Sequence, residues 1–217
     1  MENSKTNYKI TKPKLNSDLD IIELSRENLV DGTIFAFGVI KDCLLENHDA
    51  HHLSFKQIHF KNVVFKDIEF KYIELVDVIF ENCDLSNSNF NEASIHRVEF
   101  INCKLIGTNF GEATLRDVLF KNCNAQYAYF SFSNCKQVCF IECRLRSSDF
   151  RNSIFSKVYF EASDLIQTQM FSTKLKDIDF SSCEVEGLGV NIPDLNGSIF
   201  TAGQALSFIS LLGVILK

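Results

Sequence analysis

The chain contains no tryptophan, only 2 prolines and 9 glycines among 217 residues. Nine glycines leave no phosphate-cradling loop of the glycine-rich kind. Basic residues are outnumbered, 22 Lys and Arg against 28 Asp and Glu, and a net charge of −6 excludes a general nucleic-acid binder with a basic footprint. The first residues, MENSKTNYKITKPK, hold no apolar stretch of signal-peptide type, which predicts a cytoplasmic protein. The 8 cysteines are then read as reduced thiols and not as a disulfide framework. No CxxC pair occurs among them, so zinc-ligand spacing is missing and no metal or cofactor is expected.

What the chain has in excess is phenylalanine, and its placement is periodic. Of the 21 Phe, 17 lie at positions divisible by five. In the stretch ENCDLSNSNF, residues 81–90, Leu85 and Phe90 are five apart, each preceded two positions earlier by a small residue, Cys83 or Ser88. Five is the period of neither a strand nor a helix. A spacing of two puts a small and a large side chain on one side of an extended segment, so each unit of five sends two side chains inward and three outward.

A longer period sets the shape. Phe60, Phe80, Phe100, Phe120, Phe140, Phe160 and Phe180 form a column at spacing twenty, with Phe200 in phase. Cys43, Val63, Cys83, Cys103, Cys123, Cys143, Ser163 and Cys183 form another. Like stacks on like every four units, which predicts an all-β square solenoid with these phenylalanines as its core stack. Neighbouring coils should lie about 4.8 Å apart, giving a rod of about 35–40 Å. The expected organisation is a polar N-terminal segment and cap over 1–32, the solenoid over 33–190, fading at EGLGV and NIPDL, and a C-terminal element over 191–217.

Little in this pattern carries chemistry. Seven cysteines fall at inward positions and read as small buried hydrophobes. His48, His51, His52 and His59 scatter over different sides of a solenoid and read as solvated surface residues. Asn62, Asn82, Asn102 and Asn122 occupy a corner column, where Asn suits tight turns and amides stack in ladders. No paired carboxylates or nucleophile elbow stand out, and a filled solenoid offers no deep cleft, so an enzyme is not expected. Outward-pointing Phe132 and Phe171, with Ile101, Ile141, Ile106 and Ile166, are either scattered apolar surface or a protein-binding strip.

The chain's most apolar run is IFTAGQALSFISLLGVIL, residues 199–216, interrupted by Gln204, Ser207 and Ser210. A membrane anchor is the alternative to weigh there, and the polar interruptions favour a terminal helix. Thr201 is a fitting N-cap, AGQALSFISLL reads as helix, Gly213 as its stop, and VIL as a short strand. Leu206, Ile209 and Leu212 are expected to face inward and close the open solenoid end. Phe208 and Leu211 are left for a twofold-related copy, so all five are assigned to capping and dimerisation.

Units such as CDLSNSNF, CKLIGTNF and CRLRSSDF resemble the pentapeptide-repeat family, over roughly residues 33 to 190. The resemblance implies a right-handed quadrilateral β-helix. HRVEFINCKLIGTNFGEATLRDVLFKNCNAQYAYF and LNGSIFTAGQALSFISLLGVILK are similar to the central coils and terminal cap of Qnr-type quinolone-resistance proteins, in particular the loopless, chromosomally encoded type of Gram-positive bacteria. That narrower resemblance implies a homodimer that mimics duplex DNA, binds DNA gyrase and topoisomerase IV and protects them from fluoroquinolones, without itself binding nucleic acid or membrane. The competing expectation is a pentapeptide-repeat scaffold for a different protein partner, since a solenoid alone does not choose between partners. Which residues touch the partner is left unassigned.

Overall fold

A computed structural model describes residues 9–25 and 27–214, with the side chains of Ser210 and Leu212 outside the description. The chain winds into an all-β parallel solenoid of about seven turns. Its main sheet has eight parallel strands: β1 (Asp20–Ile21), β2 (Ile34–Lys41), β4 (Ser54–Lys61), β6 (Glu74–Glu81), β7 (Ser94–Ile101), β8 (Thr114–Lys121), β9 (Asn134–Ile141) and β10 (Ile154–Glu161). β3 (Leu44–Asp49) and β5 (Val64–Glu69) pair separately, and later coils continue their course as isolated parallel bridges. From β2 onward every paired position is offset by twenty residues, as in Phe60 with Phe80 and Phe100 with Phe120.

The turn is made by backbone conformation. From Phe37 to Asp177 every fifth residue has a left-handed φ, between 46° and 63° where it is not glycine, and Gly107 fills one place. No Val, Ile or Thr stands at any of these corners, as the clash of a branched Cβ in this region requires. Asn, whose short amide tolerates this conformation, holds the corner at 62, 82, 102 and 122. Their amides run a ladder along the edge, Asn82 Nδ2 to Asn62 Oδ1 at 3.4 Å and Asn102 to Asn82 at 3.2 Å.

Four sides result. Side A is centred on Phe35, Phe55 and their successors, side B on Ile40, Phe60 and theirs, side C on Leu45 and Phe65, side D on Ala50 and Phe70. Side B's rings stack face to face: Phe60–Phe80, Phe80–Phe100, Phe100–Phe120 and Phe120–Phe140 have centroids 4.7 to 4.9 Å apart. Side D's rings meet them edge-on, Phe110 to Phe120 at 5.9 Å and 76°. Each such buried ring contributes about 1.5–3 kcal/mol by area alone.

The small inward position does more than leave room. The Sγ of Cys103, Cys123 and Cys143 each lies 3.3 to 3.4 Å from the carbonyl of the Phe one coil below. Ser153, Thr168 and Thr173 make the same bond with hydroxyls at 2.6 to 2.8 Å. Small residues with a donor therefore satisfy a carbonyl at the turn.

The repeat runs further than its spacing predicts. A 3-10 turn at Ile192–Leu195 replaces the regular corner, yet Asp179 still pairs with Ile199 and Phe180 stacks on Phe200 at 5.0 Å. The ladder breaks elsewhere: β10 is the last strand of its sheet, and Phe160 to Phe180 opens to 5.6 Å. Sides C and D stay paired across that step, through Asp164 with Glu184 and Gln169 with Gly189.

Candidate partner-binding sides of the rod

The interior is lined by rings, aliphatic side chains and thiols. All eight cysteines are free thiols, and seven of them are buried. Burial pushes the Cys135 and Cys139 thiols up to about 12 and Cys123 well above the ordinary range, so they stay protonated. Among the described residues no three His, Cys, Asp or Glu converge on a common metal position. Three of the four histidines between residues 48 and 59 are engaged and not simply solvated: His48 Nε2 bonds the Leu29 carbonyl, His59 lies 3.0 Å from Glu81, and His52 stacks on Tyr72.

The outer surface is where the molecule differs from side to side. Between residues 41 and 190, sides C and D carry 11 Asp and Glu against 6 Lys and Arg, whereas sides A and B carry 10 of each. The acidic excess of the rod therefore belongs to C and D. At Asp84 burial raises the carboxyl, but Ser86 and Lys104 outweigh that and hold it below the usual carboxylate range. Side D adds aromatic surface, with Tyr129 and Phe132 about half or more exposed on one shallow hollow and Phe171 nearby at Gly189.

The corner between sides A and B is covered by a strap that the sequence alone does not announce. Residues 9–22 run along the rod, across its coils. The Gln137 side chain donates to the Lys9 carbonyl at 3.1 Å. The Thr11 amide donates to Asp117 at 2.9 Å, and the Lys14 amide to Asp77 at 2.9 Å. Asp20 and Ile21 then pair with Gly38 and Val39. Three extended residues span about 10 Å, the distance of two coils between Asp77 and Asp117. Gly38 is required at the join, because a Cβ there would run into the Ile22 side chain and the Asp20 carbonyl.

Both anchoring carboxylates are buried, Asp77 at 6% and Asp117 at 4% exposure. Arg97 clamps Asp77 with two bonds of 2.6 and 2.7 Å. Burial raises the Asp77 carboxyl, but Arg97 and the Lys14 amide prevail and hold it below the usual range. Beneath the strap the outward column alternates, Val39, Ile79 and Leu119 with His59 and Glu99 between them, and ends at Cys139, which is fully buried at a position that points away from the core. Expected as a polar segment and cap, residues 9–22 act instead as a lengthwise cover; Leu29, 1% exposed, is the residue that enters the core at that end.

The C-terminal end departs from the expected single helix. Thr201 and Gln204 form a capping box, but the α-helix, α1, spans only Ala202–Leu206 and a 3-10 turn follows at Ile209–Leu212. Gln204 explains the short helix, since its side chain also bonds the carbonyls of Phe180 and Cys183 at 2.9 and 2.7 Å. Leu206, expected to face inward, is 55% exposed, whereas Phe208, expected to face outward, packs its ring 4.8 Å from Phe200. Ile209 is half-buried and Leu211 exposed. The assignment of Leu212 concerns a side chain outside the described ones. Of the expected VIL strand, Val214 is exposed and in no strand, and residues 215–217 lie outside the described residues. No described helix is long and apolar enough to cross a membrane.

Comparison with known proteins agrees with this geometry. The profile of the pentapeptide repeat region matches residues 73–142, and that of pentapeptide repeats (8 copies) matches 128–167 and 143–181. No curated protein sequence matches. Among solved structures, HetL, a pentapeptide repeat protein involved in heterocyst differentiation regulation from the cyanobacterium Nostoc sp. strain PCC 7120, is 13% identical, with 80% of this chain and 91% of HetL covered and a TM-score of 0.51. A trypsin-treated form of QnrB1, a plasmid-mediated fluoroquinolone resistance protein, is 20% identical over 87% of this chain and 97% of its own, with a TM-score of 0.41. A pentapeptide repeat protein of the Arabidopsis thaliana thylakoid lumen is 22% identical over 61% of this chain and 89% of its own, with a TM-score of 0.34.

Proposed function

Because the chain belongs to the pentapeptide-repeat family, we propose that it is a non-enzymatic binding rod, paired end to end with a second copy, that presents its acidic sides to a type II topoisomerase in place of duplex DNA. The observation that carries this reading is the segregation of charge, with the acid excess on the two sides that the strap does not touch. An acidic rod attracts a basic DNA-binding surface through long-range steering, and mimicry requires the negative sides to be the accessible ones. The choice of DNA gyrase and topoisomerase IV as partners rests on the similarity of residues 96–130 and 195–217 to Qnr-type proteins.

The pairing surface is the C-terminal end, where Ile199, Leu206, Leu211 and Val214 are all 43% exposed or more. A twofold copy covering these side chains gives a rod of about 70–80 Å, two coils-stacks of about 35–40 Å each.

The test is gyrase supercoiling in ciprofloxacin with the purified protein added. Protection is expected, and it should be lost when Asp84, Asp164 and Glu184 on side C are changed together to Lys. It should also be lost when Leu206→Asp and Leu211→Asp are combined and the protein elutes as a monomer. Supercoiling that stays drug-sensitive at every protein concentration overturns the proposal.

A further inference from the structure

β10 ends the eight-stranded sheet, and the coil that follows it diverges on sides A and B. One coil later the ladder has resumed, with the Leu175 amide donating to the Asp194 carbonyl at 3.0 Å and Asp177 to Gly197 at 2.9 Å. The equivalent amides in β10 are those of Phe155 and Lys157. Neither bonds a carbonyl of residues 171–190 among the described residues. They face a cleft of about 430 Å³ lined by Phe155–Tyr159 below and by Lys174 and Lys176–Ile178 above.

The chemistry of this cleft is anion-receptive. Three ammonium groups, Lys157, Lys174 and Lys176, stand around it against one carboxylate, Asp177. All four residues are exposed, and no ion pair joins any of the three lysines to an acid among the described residues. Phe155, half-buried, and Val158 supply an apolar floor, and Ile154 beside them is 65% exposed. An unpaired strand edge with free amide donors is a template for an incoming extended backbone.

We propose that the cleft after β10 binds an acidic, extended segment of a partner protein. Its carbonyls accept from the Phe155 and Lys157 amides, one side chain rests on the apolar floor, and the flanking carboxylates pair with Lys157, Lys174 and Lys176. A protein segment fits better than a nucleic acid, because the rod's net charge of −6 repels a polyphosphate chain far more than a short acidic peptide. This site lies on the strapped half of the rod, away from the acidic sides, and does not depend on the topoisomerase reading.

The experiment is fluorescence anisotropy with the full chain and a labelled peptide of alternating Glu and Val. Saturable binding is expected, weakened roughly tenfold or more by Lys174→Glu combined with Lys176→Glu, a pair of exposed changes. Exchange of the Phe155 and Lys157 amides should slow when peptide is added. No saturation up to about 1 mM, undiminished binding to the double variant, or tighter binding of oligothymidylate or tripolyphosphate would each overturn the proposal.

Discussion

Sides A and B share one interior with sides C and D and differ in the use of their outward positions. On A and B the strands run unbroken from β2 to β10, one outward column carries apolar residues at Val39, Ile79, Leu119 and Cys139, and buried Asp77 and Asp117 hold a strap by its backbone. On C and D the pairing thins to single bridges after β5, and the outward positions are acidic and open. The repeat thus fixes only two of its five residues. The other three are free to make one half of the rod a second, outer layer of structure and the other half a charged surface.

The largest expected contrast is between two aspartates. Asp77→Ala strands Arg97, 20% exposed, and the Lys14 amide together, and should cost about 2–3 kcal/mol. Asp84→Ala on side C removes a partner from Lys104, 66% exposed, and the acceptor of the local turn at Ser86, and should cost about 1 kcal/mol or less. Urea unfolding of the two variants measures both. Equal losses would mean that the strap is not held by its anchors.

A smaller contrast lies inside. Ser153 on side A donates to the Phe130 carbonyl at 2.7 Å, and Ser153→Ala should cost about 1 kcal/mol. Ser88 and Ser148 on side D are fully buried, and their hydroxyls have no partner among the described residues. Ser148→Ala should therefore be neutral or slightly stabilising, because an unsatisfied buried hydroxyl is removed. Melting temperatures of the two variants settle the order, and a larger loss at Ser148 would break it.

The inward half of this molecule is plain in the sequence, because a residue that must stack on its own kind every twenty positions writes its geometry as a period. Phe60 to Phe180, the cysteine column and the asparagine corners are all visible that way. The strap is not, since residues 9–22 cross the coils and share no period with them. Its trace is indirect: apolar residues at alternate places of one outward column, Val39, Ile79 and Leu119, and two corner aspartates forty residues apart. The C-terminal end misleads for a different reason. AGQALSFISLL has helical preference throughout, but Gln204 is bonded to the last coil and Phe208 turns back onto Phe200, so tertiary contacts end the α-helix at Leu206. The cleft after β10 has no sequence signal of its own, because residues 171–180 keep the repeat's phase while their backbone leaves the ladder.

Acid separates the two halves most finely. Asp77 and Asp84 are both held below the ordinary carboxylate range, so each gives a stabilisation that is complete above about pH 4 and is lost as pH falls through its depressed value. The consequence differs by side. Protonating Asp84 on side C loosens a local turn at Ser86 and a pairing with Lys104. Protonating Asp77 weakens both Arg97's clamp and the acceptor of the Lys14 amide, and so loosens the strap along its length. Amide exchange followed by NMR below pH 4 should show Thr11 and Lys14 losing protection together while the Phe100 and Phe120 amides of the core keep theirs. Strap amides that stay protected until the core itself opens would show that the cover and the rod fold as one unit, and that the difference between the two halves is one of charge alone.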